Sequence, residues 1–222
     1  MSTTLLLLSA TPAHLAVASP ANPIQMIYNL GRAAFFAFEV ARWGVAAIAI
    51  AWAIKALMNM YAVSSATGGQ PNKLFASRSQ PTMGSAFMQL IFAALLFSTA
   101  YDLTPMVITS SMVEGANPSI QGYNDYAEYQ NSLFQYDDVS EPPLDQSREI
   151  IKSFILMLMR VVGFVAVCRG FKILYDNSNG DGQKTDNQGL GFIFFGTLAF
   201  NFWWTYSLVA NTLGFDVLSL IN

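Results

Sequence analysis

Charge is scarce in this chain, and histidine and cysteine are almost missing. Charged residues make up 11% of the 222 positions, against 53% hydrophobic. A soluble domain usually carries about 25% charged residues, and here the charges gather in a few loops with long neutral runs between them. That distribution excludes an ordinary water-exposed domain. The one histidine, His14, lies in an uncharged segment with no cysteine or carboxylate near it in sequence. A metal site or a nucleophile–base pair would lack its usual members. The one cysteine, Cys168, excludes an intramolecular disulfide and reads as a packing residue in an apolar stretch. No Gly-x-x-x-x-Gly-Lys phosphate loop occurs. Residues 177–182 (Asn-Ser-Asn-Gly-Asp-Gly) imitate part of a calcium loop, but the twelfth position is Gln188 rather than glutamate. A net charge of −3 gives no basis for binding nucleic acid, so no sequence-specific contact with it is expected. The chain therefore reads as non-enzymatic, with no metal or catalytic cofactor.

What is present is apolar length. A membrane-spanning helix needs about twenty largely apolar residues, and four segments qualify: about Ala33 to Met60, Met83 to Tyr101, about Ile150 to Tyr175, and Asn187 to Phe215. The expected fold is an all-α membrane protein of four transmembrane helices. It divides into an uncharged N-terminal segment (1–32), a first two-helix unit (33–108), an acidic extramembrane loop (109–149) and a second two-helix unit (150–222). Leu5 to Leu8 and Ala16-Val17-Ala18 resemble a secretory signal, yet no Lys or Arg precedes Arg32, so the segment is expected to be retained. Lys55, Lys73 and Arg78 mark the loop at 61–82, and Arg169, Lys172 and Lys184 mark the loop at 176–186. Basic residues collect on the cytoplasmic side, which predicts both loops there and the acidic loop in the periplasm of a bacterial inner membrane. Arg148 and Lys152 pull the other way.

The halves match in layout. Trp52-Ala-Ile-Lys55-Ala-Leu57 parallels Arg169-Gly-Phe-Lys172-Ile-Leu174, and Ala94-Leu-Leu-Phe97 parallels Thr197-Leu-Ala-Phe200. A glycine opens the second run of each half, Gly84 and Gly189. This predicts two parallel copies of a helix–polar loop–helix unit.

Charges within spans are costly, roughly 2.5–3.5 kcal/mol each. Glu39 and Arg42 share a helical face and are expected to pair with each other or, alternatively, with a neighbouring subunit or Arg160. Arg160, near the middle of the third span, either pairs with Glu39, lines a polar interior, or holds the headgroup of an anionic phospholipid. Lys55, Arg169 and Lys172 read as interfacial anchors, and Trp203, Trp204 and Tyr206 as an aromatic belt. Small residues let helices approach closely in lipid. The expected packing positions are Gly44, Ala47 and Ala51 on the first span, Gly163 and Gly170 on the third, and Gly189, Gly191 and Gly196 on the fourth.

The second half carries a resemblance. The run Val161-Val-Gly163-Phe-Val-Ala166-Val-Cys-Arg169-Gly170-Phe-Lys-Ile-Leu174, then Gly189-Leu-Gly191, Leu198-Ala-Phe-Asn201 and Asn211-Thr-Leu-Gly214, resembles the IcmC/DotE family. These are small inner-membrane components of Dot/Icm type IVB secretion systems, with TraQ as the similar protein of I-type conjugation systems. The resemblance covers about residues 150–215; the first half matches in layout alone. It implies a structural subunit, without catalytic residues, of a machine that transfers protein or DNA. The expected partners are membrane lipid, further copies of the chain and other membrane proteins of the system. Two other roles fit the residues: a pilin-like subunit of a helical conjugative filament, and a small channel or transporter in which Arg160 and Glu39 form the site.

Overall fold

In the computed structural model, residues 23–66, 82–112, 144–180 and 184–213 are described, and all of their regular structure is helical. Most of the N-terminal segment with His14, the Lys73 and Arg78 loop and most of the acidic central loop lie outside the described residues.

The first helix, α1 (Pro23–Ala66), opens on a proline, which suits the first helical position because no intrahelical partner awaits its missing N–H. It continues through an alanine-rich run that costs little helix propensity. At 1.5 Å per residue, its 44 residues extend about 66 Å, well beyond a bilayer core of ~30 Å. The helix α2 (Met83–Ala100) starts with a reciprocal cap. The Ser85 N–H donates to Thr82 Oγ1 at 3.1 Å, and the Thr82 N–H donates to Ser85 Oγ at 3.1 Å.

Tyr101 and Asp102 then form a turn, and α3 (Leu103–Met112) follows. Asp102 has φ of 63°, a left-handed conformation that aspartate tolerates better than most residues. Pro105 reinforces the break, because a helix running straight through would need its N–H for the Tyr101 carbonyl. The long helix α4 (Leu144–Ser178) ends where Gly180 adopts φ of 75° and its N–H reaches the Asn177 carbonyl. The last two helices are α5 (Asp186–Phe200) and α6 (Phe202–Leu213).

Three of these helices, α1, α2 and α4, are long and apolar enough to cross a membrane. The expected fourth span is not one helix. It divides at Asn201 into pieces of 15 and 12 residues, each short of the roughly twenty a crossing needs. The Asn201 side-chain amide donates to the Pro105 carbonyl at 3.2 Å and to Thr109 Oγ1 on α3. Its backbone N–H still donates to the Thr197 carbonyl, and the chain leaves the helix at Asn201 itself, with φ of −101° and ψ of 44°. Hydropathy alone does not register such a break.

Paired contacts fix the directions of the helices. Arg42 meets the Ala100 carbonyl while Asn59 meets Gln89, so α1 and α2 are antiparallel. Gly163 lies against Phe200 while Gly170 lies against Gly189 and Ile193, so α4 and α5 are also antiparallel. Phe38 packs edge-on to Phe164 (5.1 Å between ring centres) and Trp52 stacks on Tyr175 (4.2 Å), so α1 and α4 run parallel.

Each hairpin closes on small residues repeated every seven positions. In the first, the buried residues are Ala49 and Ala56 on α1 with Ala86, Ala93 and Ala100 on α2. In the second they are Gly163 and Gly170 against Gly189 and Gly196. A Cβ added at Gly163 would lie 2.3 Å from the Phe200 nitrogen, and one at Gly196 would lie 2.8 Å from the Val167 nitrogen. Within a membrane, such close backbone approach supplies the packing energy. Around these seams, Phe38, Met157, Phe164 and Phe200 fill one core cluster, and Leu96, Val167, Phe171 and Ile193 fill another.

Candidate functional site

The turn between α2 and α3 delivers Asp102 into a cluster of four charges. Arg160 of α4 donates from Nη2 to Asp102 Oδ2 at 2.5 Å. Arg42 of α1 places its own Nη2 3.4 Å from the same oxygen. Arg42 also donates from Nη1 to Glu39 Oε1 at 2.8 Å and from Nε to the Ala100 carbonyl at 2.8 Å. Two acids and two bases sum to zero, and the innermost pair is deeply buried, with side-chain exposures of 12% for Asp102 and 10% for Arg160. Removing these charges from water costs several kcal/mol per ion, which their mutual attraction and hydrogen bonds must offset.

Aromatic rings complete the surroundings. The Arg160 guanidinium stands 5.5 Å from the Phe38 ring centre and 5.1 Å from that of Phe200, and Arg42 stands 5.8 Å from Phe38. A guanidinium beside ring faces gains about 0.5–2 kcal/mol, more when desolvated. Asp102 Oδ1 is buried with no hydrogen-bond partner among the described residues. The acid is therefore committed through one oxygen to both arginines.

Side-chain hydroxyls stitch the helix breaks. Thr99, within α2, and Thr104, across the first break, both donate to the Leu95 carbonyl, at 2.8 and 2.9 Å. Thr205 donates to the Leu198 and Asn201 carbonyls, at 2.9 and 3.1 Å, across the second. Asn201 joins the second break to α3 through Pro105 and Thr109. A separate polar layer lies toward the far end of α1, where Asn59 Nδ2 donates to Gln89 Oε1 at 2.8 Å and Gln89 Nε2 reaches the Ser178 carbonyl at 3.4 Å.

The expected Glu39–Arg42 pair is present. Arg160, for which pairing with Glu39 was one of three expected roles, bonds Asp102. Lys55 lies 5.9 Å from the Tyr175 ring centre, Arg169 lies 5.0 Å from that of Phe192, and Lys172 pairs with Asp176 at 2.6 Å. Trp203 receives the Lys152 ammonium over its face at 4.4 Å. Gly163, Gly170, Gly189 and Gly196 sit in the second hairpin's seam, whereas a Cβ at Gly191 or Gly44 would meet nothing within 4 Å. Gly44, Ala47 and Ala51 face outward; the buried alanines of α1 are Ala46, Ala49 and Ala56. Both faces carry small residues at helical spacing, so periodicity alone does not choose between them.

Asp102 escaped the sequence reading because the second span ends one residue before it. The signal was nonetheless there: Asp102 is the single acid between Glu39 and Glu114, beside two apolar helices bearing arginines that need a counter-ion. No protein-family model, curated protein or solved structure matches this chain.

Proposed function

We propose that this chain is a non-enzymatic structural subunit of a type IVB secretion or conjugation machine in the bacterial inner membrane. It acts by assembling with copies of itself and with other membrane proteins of the apparatus, supporting transfer of protein or DNA. In this reading the loops at 61–82 and 176–186 face the cytoplasm. The observation that carries it is the Glu39–Arg42–Asp102–Arg160 cluster. Its charges are balanced within the chain and bind the two hairpins to each other, as suits a scaffold. Arg42 and Arg160 come from the long helix of each hairpin and meet one acid, which supports the duplicated two-helix unit. The resemblance in residues 150–215 supports the choice of machine. The outward stripe of Gly44, Ala47 and Ala51 supports packing between copies.

The test is assembly and transfer together. Deleting the gene should abolish transfer, and the purified chain should retain itself and its operon partners in mild detergent. Replacing Gly44 and Ala47 by leucine should separate the copies and reduce transfer while leaving the monomer folded. A strictly monomeric, partnerless wild type that still supports transfer would defeat the proposal.

One observation favours a channel or transporter instead: α2 and α5 both stop at breaks continued by short helices, and broken helices often frame transport sites. Under that reading, the Asp102→Asn/Arg160→Gln double variant loses flux while assembly persists. Under the structural reading, the double variant keeps assembly and transfer, whereas Asp102→Asn alone, which strands Arg160, loses both.

A further inference from the structure

A groove of about 640 Å³ runs along the outer face of the second hairpin, between α4 and α5. Its walls are Val162, Ala166, Phe192, Phe195 and Ala199, with Gly191 in its lining where a Cβ would have open space. The volume falls within the roughly 300–1,000 Å³ of small-molecule sites. The apolar lining continues onto exposed Val162, Val165, Leu190, Phe194 and Phe195, the surface this hairpin offers to lipid tails.

One end of the groove differs. Lys184 and Gln188 close it, and the Arg169 guanidinium stands 5.0 Å from the ring of Phe192, one helical turn along from Gln188. Asp186 accepts a hydrogen bond from Asn177 Nδ2 at 2.6 Å, and Lys172 is paired with Asp176. Lys184 and Gln188 thus line the groove near the start of α5, and Arg169 lies against Phe192 of its wall. The helix N-terminus adds partial positive charge there.

We propose that this groove binds one anionic phospholipid, with an acyl chain along Val162, Ala166, Phe192 and Phe195 and the phosphate between Arg169 and Lys184. Charge complementarity selects this occupant. An acyl chain alone needs no cations, and a partner helix would bury them against apolar surface. Basic pockets between membrane helices hold anionic headgroups by this combination. The site is separate from Arg160, whose charge Asp102 already balances. It holds whether or not the chain belongs to a secretion machine.

The test uses the full chain in detergent, titrated with phosphatidylglycerol or phosphatidylcholine of matched acyl chains and read by native mass spectrometry. The wild type should bind phosphatidylglycerol about tenfold more tightly. Arg169→Gln with Lys184→Gln should bring the two lipids within about twofold of each other. Gly191→Leu should weaken both lipids by filling the trough, while thermal unfolding shows the helix intact. Lys172→Gln, on the same helix but outside the groove, should leave the preference unchanged. Equal binding of both lipids by the wild type, undiminished binding by Gly191→Leu, or an equal loss from Lys172→Gln would each overturn the assignment.

Discussion

Asp102 Oδ2 lies 2.5 Å from Arg160 Nη2, and this contact joins residues 58 positions apart across the two hairpins. Removing one partner of a buried pair leaves the other charge stranded, at a cost of about 3–5 kcal/mol. Asp102→Asn should therefore lower stability by that order in a detergent-unfolding titration, despite its unchanged shape. A double-mutant cycle should give stronger coupling of Asp102 to Arg160 than to Arg42, whose closest approach is 3.4 Å. Coupling near zero for both pairs would mean that the cluster does not hold in solution.

Gly163 and Gly44 make a controlled comparison. An added Cβ at Gly163 would press on the backbone of α5, whereas at Gly44 it would meet nothing within 4 Å. Gly163→Ala should cost about 1–3 kcal/mol or more, the usual penalty of overpacking. In the unassembled chain, Gly44→Ala should be neutral or stabilising by about 0.5–1 kcal/mol, because alanine favours helix. Melting temperatures of the two variants, measured side by side, decide the matter; equal shifts would contradict the glycine seam.

The Asn59–Gln89 hydrogen bond predicts an asymmetry. Gln89→Leu alone strands the Asn59 amide and should cost about 1–3 kcal/mol. Adding Asn59→Leu removes the stranded group as well, so the double variant should recover much of that loss. An additive double variant would show that the two amides do not depend on each other.

Asn201 holds the second break against α3, so Asn201→Ala should destabilise by about 1–2 kcal/mol, from two hydrogen bonds of ordinary strength. Thr109→Val removes the same link from the other side. Combining the two should cost little more than the worse single change, and full additivity in thermal unfolding would separate them.

The long helices were legible because their information is local. Apolar runs locate α1, α2 and α4. What stayed hidden depends on other helices. Asn201 reads as one polar residue in a neutral run until Pro105 and Thr109 are beside it. Asp102 reads as a loop acid until two arginines from α1 and α4 converge on it. The pairing of Glu39 with Arg42 was readable because it lies within a single turn of one helix.

The shared acid also bears on the order of synthesis. The first hairpin supplies both Asp102 and Arg42, so the carboxylate already has a counter-ion within reach when that hairpin enters the membrane. Arg160 emerges 58 residues later and finds its acid already in place, held in the left-handed turn after α2. Both Arg42 and Arg160 thus have a carboxylate within reach, and the second hairpin is tied to the first by the charge it brings.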